Sequence, residues 1–248
     1  MHLIHRGIVN KNYKENLLNS FKQSFKKGFG IETDIHATKD NKFICYHDFT
    51  LTRIFKKKQS VKNINYQELK EISLKQNKPI PLLQDLLKIS KNKFYLFIEI
   101  KPQFSKKLLK KLIKETSKYS KCVFISFKHQ NIFNLLKLTK KTKVGLSFSP
   151  PTTVKSIVKK SIIKNIDCLI LDKSYIKNDI VKINHMTLSA AVAVDSEPFS
   201  GNLYIVKNSN GVSAGTFPWD TPSDDWELFL ESSSGGTSST PEVIHIQN

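Results

Sequence analysis

Three carboxylates in the sequence have a spacing that suits metal binding. Glu32 and Asp34 are two residues apart in a β-rich run, so both side chains face the same side of a strand. Glu99 and Lys101 repeat that spacing in a later run. Three carboxylates make a hard oxygen site for Ca²⁺ or Mg²⁺, and such an ion neutralises a phosphate oxygen and acidifies a bound hydroxyl. The acidic residues therefore predict a divalent metal site for hydrolysis at phosphorus.

Two histidines and two cations accompany these acids. His5 and Arg6 end the first β-rich run, and His47 follows the third. Two histidines can divide the general-base and general-acid roles, because their unperturbed pKa is close to neutral pH. Arg6 and Lys101 are suited to hold an anionic phosphodiester and to offset the charge that grows on its oxygens. By contrast, His36 is expected to be exposed in a loop.

Short β-rich runs alternate with amphipathic segments through most of the chain. Strands are predicted at residues 3–5, 31–34, 43–46, 94–100, 122–127, 144–148 and 166–171. Helices are predicted at residues 15–27, 67–72, 82–89, 105–119, 130–138 and 153–163. This βα order predicts an α/β fold with a parallel sheet or barrel, in which the strand ends converge on one catalytic face.

The charge divides the chain into two parts. The formal net charge is +19, but residues 1–184 hold 39 of the 40 Lys and Arg residues, whereas residues 185–248 hold one of them and eight of the 21 acids. The second part is rich in Ser, Thr and Gly and contains Trp219 and Trp226. We therefore expect a body at 1–184 and a short acidic tail, β-rich or irregular, at 185–248.

Composition excludes several classes of protein. No apolar run approaches a membrane span, and the N-terminus lacks the order of a secretory signal, which favours a cytoplasmic location. The lysines fall mostly on polar helix faces, so no specific nucleic-acid binding is predicted, although weak attraction to anionic surfaces is expected. Cys45, Cys122 and Cys168 form no CxxC pair and are predicted to be buried, reduced thiols.

Nine short motifs stand in order across about the first 180 residues. They are His5-Arg6-Gly7, Glu15-Asn16, Glu32-Thr33-Asp34, Thr38-Lys39-Asp40, His47-Asp48, Leu51-Thr52-Arg53, Ile80-Pro81-Leu82-Leu83, Glu99-Ile100-Lys101 and Ser126-Phe127. Together they resemble the glycerophosphodiester phosphodiesterase family. The Glu15-Asn16 pair is expected to organise the start of the first helix.

The resemblance implies a TIM (β/α)8-type barrel that releases sn-glycerol 3-phosphate and an alcohol from a small glycerophosphodiester, a reaction of lipid and glycerol metabolism. It also implies a role for each site residue. Glu32, Asp34 and Glu99 bind the metal; His5 and His47 are the acid/base pair; Arg6 and Lys101 contact the phosphate.

The end of the chain departs from the family pattern. The family continues with a Trp-Thr-Val-Asn-like strand and a Gly-Ile-x-Thr-Asp-like strand, and neither is found after Asn184. The barrel is therefore predicted to be incomplete at its C-terminal end, with strand edges either exposed or covered by the tail. An alternative function is a truncated, inactive barrel fused to an unrelated segment, serving as a binding module or without function.

Overall fold

The structure is a computed structural model that describes residues 2–161 and 163–172 and five short segments of the tail, at 190–194, 202–206, 212–214, 230–232 and 244–247. The strands are β1 (His2–His5), β2 (Gly30–Ala37), β3 (Phe43–Cys45), β4 (Leu96–Ile100), β5 (Cys122–Ser126), β6 (Lys143–Phe148), β7 (Cys168–Asp172), β8 (Ala190–Val194), β9 (Asn202–Val206), β10 (Val212–Ala214), β11 (Leu230–Ser232) and β12 (Ile244–Gln247). The helices are α1 (Leu18–Lys26), α2 (Thr52–Phe55), α3 (Tyr66–Lys75), α4 (Leu83–Ser90), α5 (Lys106–Thr116), α6 (His129–Leu138) and α7 (Val154–Ser161), with a 3₁₀ turn at Val61–Asn63.

The seven predicted strands and six predicted helices are confirmed, with ends that differ by a few residues. The short helix α2 and the 3₁₀ turn were not predicted, because elements of four and three residues are too short to show a helical period.

Parallel pairing joins β1, β2, β4, β5, β6 and β7 in one curled sheet, and helices follow most of these strands. The strand β3 is the exception, since it pairs antiparallel with β2. The loop between them is too short for a crossover helix, as the sequence indicated. This is the α/β TIM-type architecture that the sequence predicts.

The regular βα series ends at β7 among the described residues, which agrees with a barrel that is incomplete at its C-terminal end. Tail segments occupy the interval between β7 and β1: β8 pairs parallel with β7, β9 pairs antiparallel with β8 and β12, and β12 pairs parallel with β1. The remaining pair, β10 and β11, forms a separate two-stranded sheet. Trp219 and Trp226 lie outside the described residues.

The main core lies between the sheet and its helices. Apolar residues that alternate along β2 and β4, such as Ile31, Ile35 and Ile98, pack against Phe21 of α1 and Leu109 of α5. Burial of such side chains contributes about 1.5–3 kcal/mol each. Because successive strand residues face opposite sides, this packing turns the alternate residues of the same strands away from the helices.

A second apolar cluster lies beneath the segment that follows β3. Its members share complete or nearly complete burial, and they come from residues 44–80: Ile44, Tyr46, Leu51, Phe55, Val61, Ile64, Leu69, Ile72 and Ile80. The segment therefore rests on a core of its own, and it carries the loop at 46–53 on the same face as the ends of the parallel strands.

The lysines of α5 illustrate the polar faces predicted from the sequence. Leu109 and Leu112 are buried, whereas Lys106, Lys107 and Lys110 are exposed. The three cysteines are free and buried, as expected. Within the described residues no helix combines the length and apolar character that crossing a membrane requires.

Candidate active site

The three predicted metal ligands converge inside the sheet. The pairing of β2 with β4 places Asp34 directly opposite Glu99, and Glu32 lies on the same face of β2. One carboxylate oxygen from each residue lies within 4.8 Å of the others, and all three residues are buried. This separation fits ligands that share one cation, since two oxygens on opposite sides of Ca²⁺ are about 5 Å apart.

One oxygen of this cluster makes no hydrogen bond with the described residues. Oε2 of Glu32 is buried without a hydrogen-bond donor among the described residues. A buried carboxylate oxygen normally has a donor or a cation, because leaving it without either is costly. The donor set and this oxygen therefore fit a bound divalent cation.

Two cations hold the central carboxylate. Nζ of Lys101 lies 3.2 Å from Asp34 and 2.9 Å from Glu99, and Nε of Arg6 lies 3.2 Å from Asp34. Burial alone would raise the pKa of Asp34, but the positive charges of Lys101 and Arg6 outweigh it and lower that pKa below its usual range. Asp34 is therefore ionised at neutral pH.

The two flanking carboxylates behave in the opposite way. Burial raises the pKa of Glu99 to about 7, although Lys101 acts against it. Burial, together with the negative charges of Asp34 and Glu99, raises the pKa of Glu32 well above its ordinary value. If all three carboxylates were ionised, their negative charge would exceed that of Arg6 and Lys101, and a bound cation would compensate the excess.

The two histidines come from the ends of different strands and contact different acids. Nε2 of His5 lies 3.6 Å from Oε2 of Glu32. Nδ1 of His47 lies 2.7 Å from Oδ1 of Asp48, the residue that follows it. Burial and the charges of Arg6 and Lys101 lower the pKa of His47, although Asp34 and Asp48 oppose them. A neutral imidazole that can accept a proton is the state suited to a general base.

Glu15 joins the turn that follows β1 to the helix α2. Its carboxylate accepts a bond from Nη1 of Arg6 at 3.1 Å and another from Nη2 of Arg53. Arg53 in turn binds the carboxylate of Asp48. The prediction that Glu15 organises the start of α1 is wrong: the N-cap position is Leu17, which makes no side-chain cap.

Asn16 likewise serves the site rather than the helix. Its side-chain amide donates to Oδ2 of Asp34 at 3.2 Å, and its carbonyl oxygen accepts from Thr33 at 2.8 Å. The backbone of Asn16 donates to the carbonyl of Arg6 and adopts a positive φ of 56°. Asparagine tolerates this left-handed conformation better than most residues, which explains its place at this turn.

The turn after β1 also requires its glycine. Arg6 and Gly7 both have positive φ, of 57° and 76°. A Cβ at Gly7 would lie 3.0 Å from side-chain atoms of Phe21 and Ser20 in α1, so the close approach of the loop to the helix excludes a larger residue. This turn directs Arg6 back towards Asp34.

The expectation for His36 is wrong. His36 is 3% exposed and lies in β2, on the same side as Glu32 and Asp34. Its Nε2 is 3.1 Å from the carbonyl oxygen of His47, and its ring meets Phe49 edge-on at 5.0 Å. Burial lowers the pKa of His36 to about 4, so the ring is neutral and donates to that carbonyl. Its i, i+2 spacing from Asp34 was the signal for this placement.

The sequence matches the model of the Glycerophosphoryl diester phosphodiesterase family over residues 5–212. A curated glycerophosphodiester phosphodiesterase of Caldanaerobacter subterraneus subsp. tengcongensis is 30% identical over 161 residues, which cover 59% of this chain and 65% of the relative. One from Bacillus altitudinis is 34% identical over 107 residues, or 39% of this chain and 43% of the relative. The chain therefore spans less than two thirds of the length of these curated relatives.

Solved structures share the fold. A glycerophosphodiester phosphodiesterase from Thermotoga maritima superposes with a TM-score of 0.63 at 22% identity, covering 73% of this chain and 77% of that chain. A phosphodiesterase from Oleispira antarctica, solved in complex with the product sn-glycerol-3-phosphate, gives a TM-score of 0.59 at 18% identity and covers 72% and 78%.

Proposed function

The chain belongs to the glycerophosphoryl diester phosphodiesterase family, and we propose that it hydrolyses small glycerophosphodiesters to sn-glycerol 3-phosphate and an alcohol. The observation that carries the proposal is the convergence of three carboxylates, two of which also contact Lys101 or Arg6, on one face of the barrel. The names of the curated relatives and the product bound in the Oleispira antarctica structure support the same substrate class.

Glu32, Asp34 and Glu99 are the residues that would hold the divalent cation, Ca²⁺ or Mg²⁺. When bound, such an ion supplies Lewis-acid stabilisation of a phosphate oxygen and lowers the pKa of a bound hydroxyl. The three buried carboxylates provide this site with hard oxygen ligands.

Arg6 and Lys101 would bind the phosphate of the substrate. Both already lie beside the acidic cluster at 3.2 Å from Asp34, with side chains that are 20% and 13% exposed. Their positive charges would stabilise the negative charge that grows on the phosphoryl oxygens.

His5 and His47 would move the protons. Asp48 accepts from Nδ1 of His47, so the neutral ring keeps the lone pair of Nε2 free to take a proton from an attacking hydroxyl. His5, placed beside Glu32, would donate a proton to the oxygen of the leaving alcohol. The general-base role is thus assigned to the histidine beside Asp48, and the general-acid role to the histidine beside Glu32.

Release of glycerol 3-phosphate from glycerophosphocholine and glycerophosphoethanolamine tests the proposal. We expect turnover by the full chain that a chelator removes and that Ca²⁺ or Mg²⁺ restores. His47→Ala should abolish turnover without changing the melting temperature, because the side chain of His47 is 31% exposed and lies outside both apolar clusters. A folded, metal-loaded sample without turnover on either substrate would instead support the alternative of an inactive barrel.

A further inference from the structure

Arginine is scarce in this basic chain. Of its 40 Lys and Arg residues only two are arginines, Arg6 and Arg53. Although they are far apart in sequence, both bind the carboxylate of Glu15, one through each oxygen. A chain that uses lysine almost everywhere else thus places its only two guanidinium groups in one network beside the site.

The geometry around Arg53 explains why a guanidinium stands there. Its Nε donates to Oδ2 of Asp48 at 2.6 Å and its Nη2 donates to Oδ1 at 3.1 Å, which is a two-pronged contact with one carboxylate. The same Nη2 also binds Glu15. A planar group with several fixed donors can make these bonds together, whereas the single ammonium of lysine cannot hold a carboxylate in one plane.

Asp48 transmits this constraint to His47. Oδ1 of Asp48 accepts from Arg53 and also lies 2.7 Å from Nδ1 of His47. A carboxylate fixed on one side by a guanidinium presents its oxygen to the imidazole in one orientation. The ring is therefore held with its proton on Nδ1 and its Nε2 available.

We propose that Arg53 is a positioning residue that acts through Asp48 to fix the tautomer and orientation of His47. The proposal rests on the proposed function insofar as His47 transfers a proton, and it adds Arg53 to the residues that determine the rate. Glu15 holds the other side of Arg53 and ties it to Arg6, so the proton-transfer group and the phosphate-binding group share one support.

The role is geometric rather than a contribution to stability. The side chain of Arg53 is 50% exposed, so solvent screens its ion pairs and their net effect on folding is small. Loss of the two-pronged contact should therefore leave the fold intact and displace the imidazole, and a displacement of about 1 Å at a reacting group costs about 100-fold in rate.

Two variants of Arg53 and a matched control test this inference. Arg53→Lys keeps the charge but loses the planar donors, and Arg53→Gln removes the charge. The control, Lys57→Gln, removes the same charge from an exposed residue just beyond the end of α2. We would measure kcat and KM for glycerophosphocholine, the melting temperature, and the ¹⁵N resonances of the His47 imidazole at pH 8, assigned with His47→Gln.

We expect both Arg53 variants to melt as the wild type does, to lose about 10-fold to 100-fold in kcat with KM unchanged, and to show His47 as a mixture of tautomers. Lys57→Gln should match the wild type in every measurement. An Arg53→Lys protein with the wild-type imidazole resonances overturns the proposal, as does an equal effect of Lys57→Gln. If the wild type itself lacks turnover, the proposed function fails, and the imidazole resonances still decide whether Arg53 positions His47.

Discussion

Replacing Glu99 with glutamine should stabilise the metal-free protein and weaken its hold on a divalent cation. Glu99 is buried beside Asp34 and Lys101, and its pKa is raised from 4.5 to about 7 because burial disfavours its charge. Glutamine has the same shape without the charge. The substitution therefore removes the cost of an ionised buried carboxylate together with one ligand of the proposed metal site.

The size of the effect follows from the raised pKa. In the unfolded chain Glu99 loses its proton near pH 4.5, whereas in the folded protein it does so near pH 7. Its protonated form contributes stability that is complete below about pH 4.5 and is lost as the pH rises through about 7. Above that pH the ionised group costs about 3 kcal/mol of folding free energy. Glu99→Gln should recover a large part of this folding free energy at pH 8 and little of it at pH 5.

Urea denaturation in the presence of a chelator measures this difference. Glu71→Gln is the matched control, because Glu71 is exposed on α3 and its loss should change stability at neither pH. Adding Ca²⁺ or Mg²⁺ should reverse the order once the ion reaches about 1,000 times its dissociation constant, since binding then stabilises the wild type by about 4.1 kcal/mol, which exceeds the gain from Glu99→Gln. The reasoning is refuted if Glu99→Gln is no more stable than the wild type at pH 8 without metal, or gains as much at pH 5.

Three further predictions concern other parts of the chain. Cys45, Cys122 and Cys168 should resist a thiol reagent at pH 8 until urea is added, because they are buried and the pKa of Cys122 is raised to about 12; reaction of the native protein would contradict this. Gly145→Ala should lower the free energy of unfolding by about 1–3 kcal/mol, since its Cβ would lie 2.9 Å from Ile170 and closer still to the Cys168 sulfur. Urea titration measures this change, and an unchanged midpoint would show that β6 and β7 separate easily. Limited proteolysis should cut first within residues 185–200 and leave a stable body, in keeping with the proposed division at 184; initial cleavage inside the body would oppose it.

Much of the site followed from strand periodicity. The i, i+2 spacing of Glu32 and Asp34 and of Glu99 and Lys101 placed their side chains on one face, and the structure brings these four together as expected. The order of strands and helices along the body also followed, because each element is long enough to show its period. The register between paired strands, which sets Asp34 opposite Glu99, cannot be predicted from a single sequence.

Two predictions were wrong because they were made from local sequence alone. β2 continues to Ala37, three residues beyond the predicted end, so His36 belongs to the buried face that also carries Asp34. Glu15 and Asn16 have the residue types of a helix start, but their partners, Arg53 of α2 and Asp34 of β2, are distant in sequence. Side-chain bonds across such separations depend on the completed fold, which local propensity does not encode.

The second apolar cluster, at residues 44–80, has a consequence for how activity is lost. It packs the segment that carries His47, Asp48 and Arg53 on a core separate from the main one. Such a segment can open as one cooperative unit while the rest of the sheet stays folded, with a free energy below that of global unfolding. Amide hydrogen exchange should then fall into two classes, one for Ile44 to Ile80 and a slower one for β4 and β5. Mild heat or denaturant would abolish the proposed activity through this subglobal opening, well before the barrel itself unfolds.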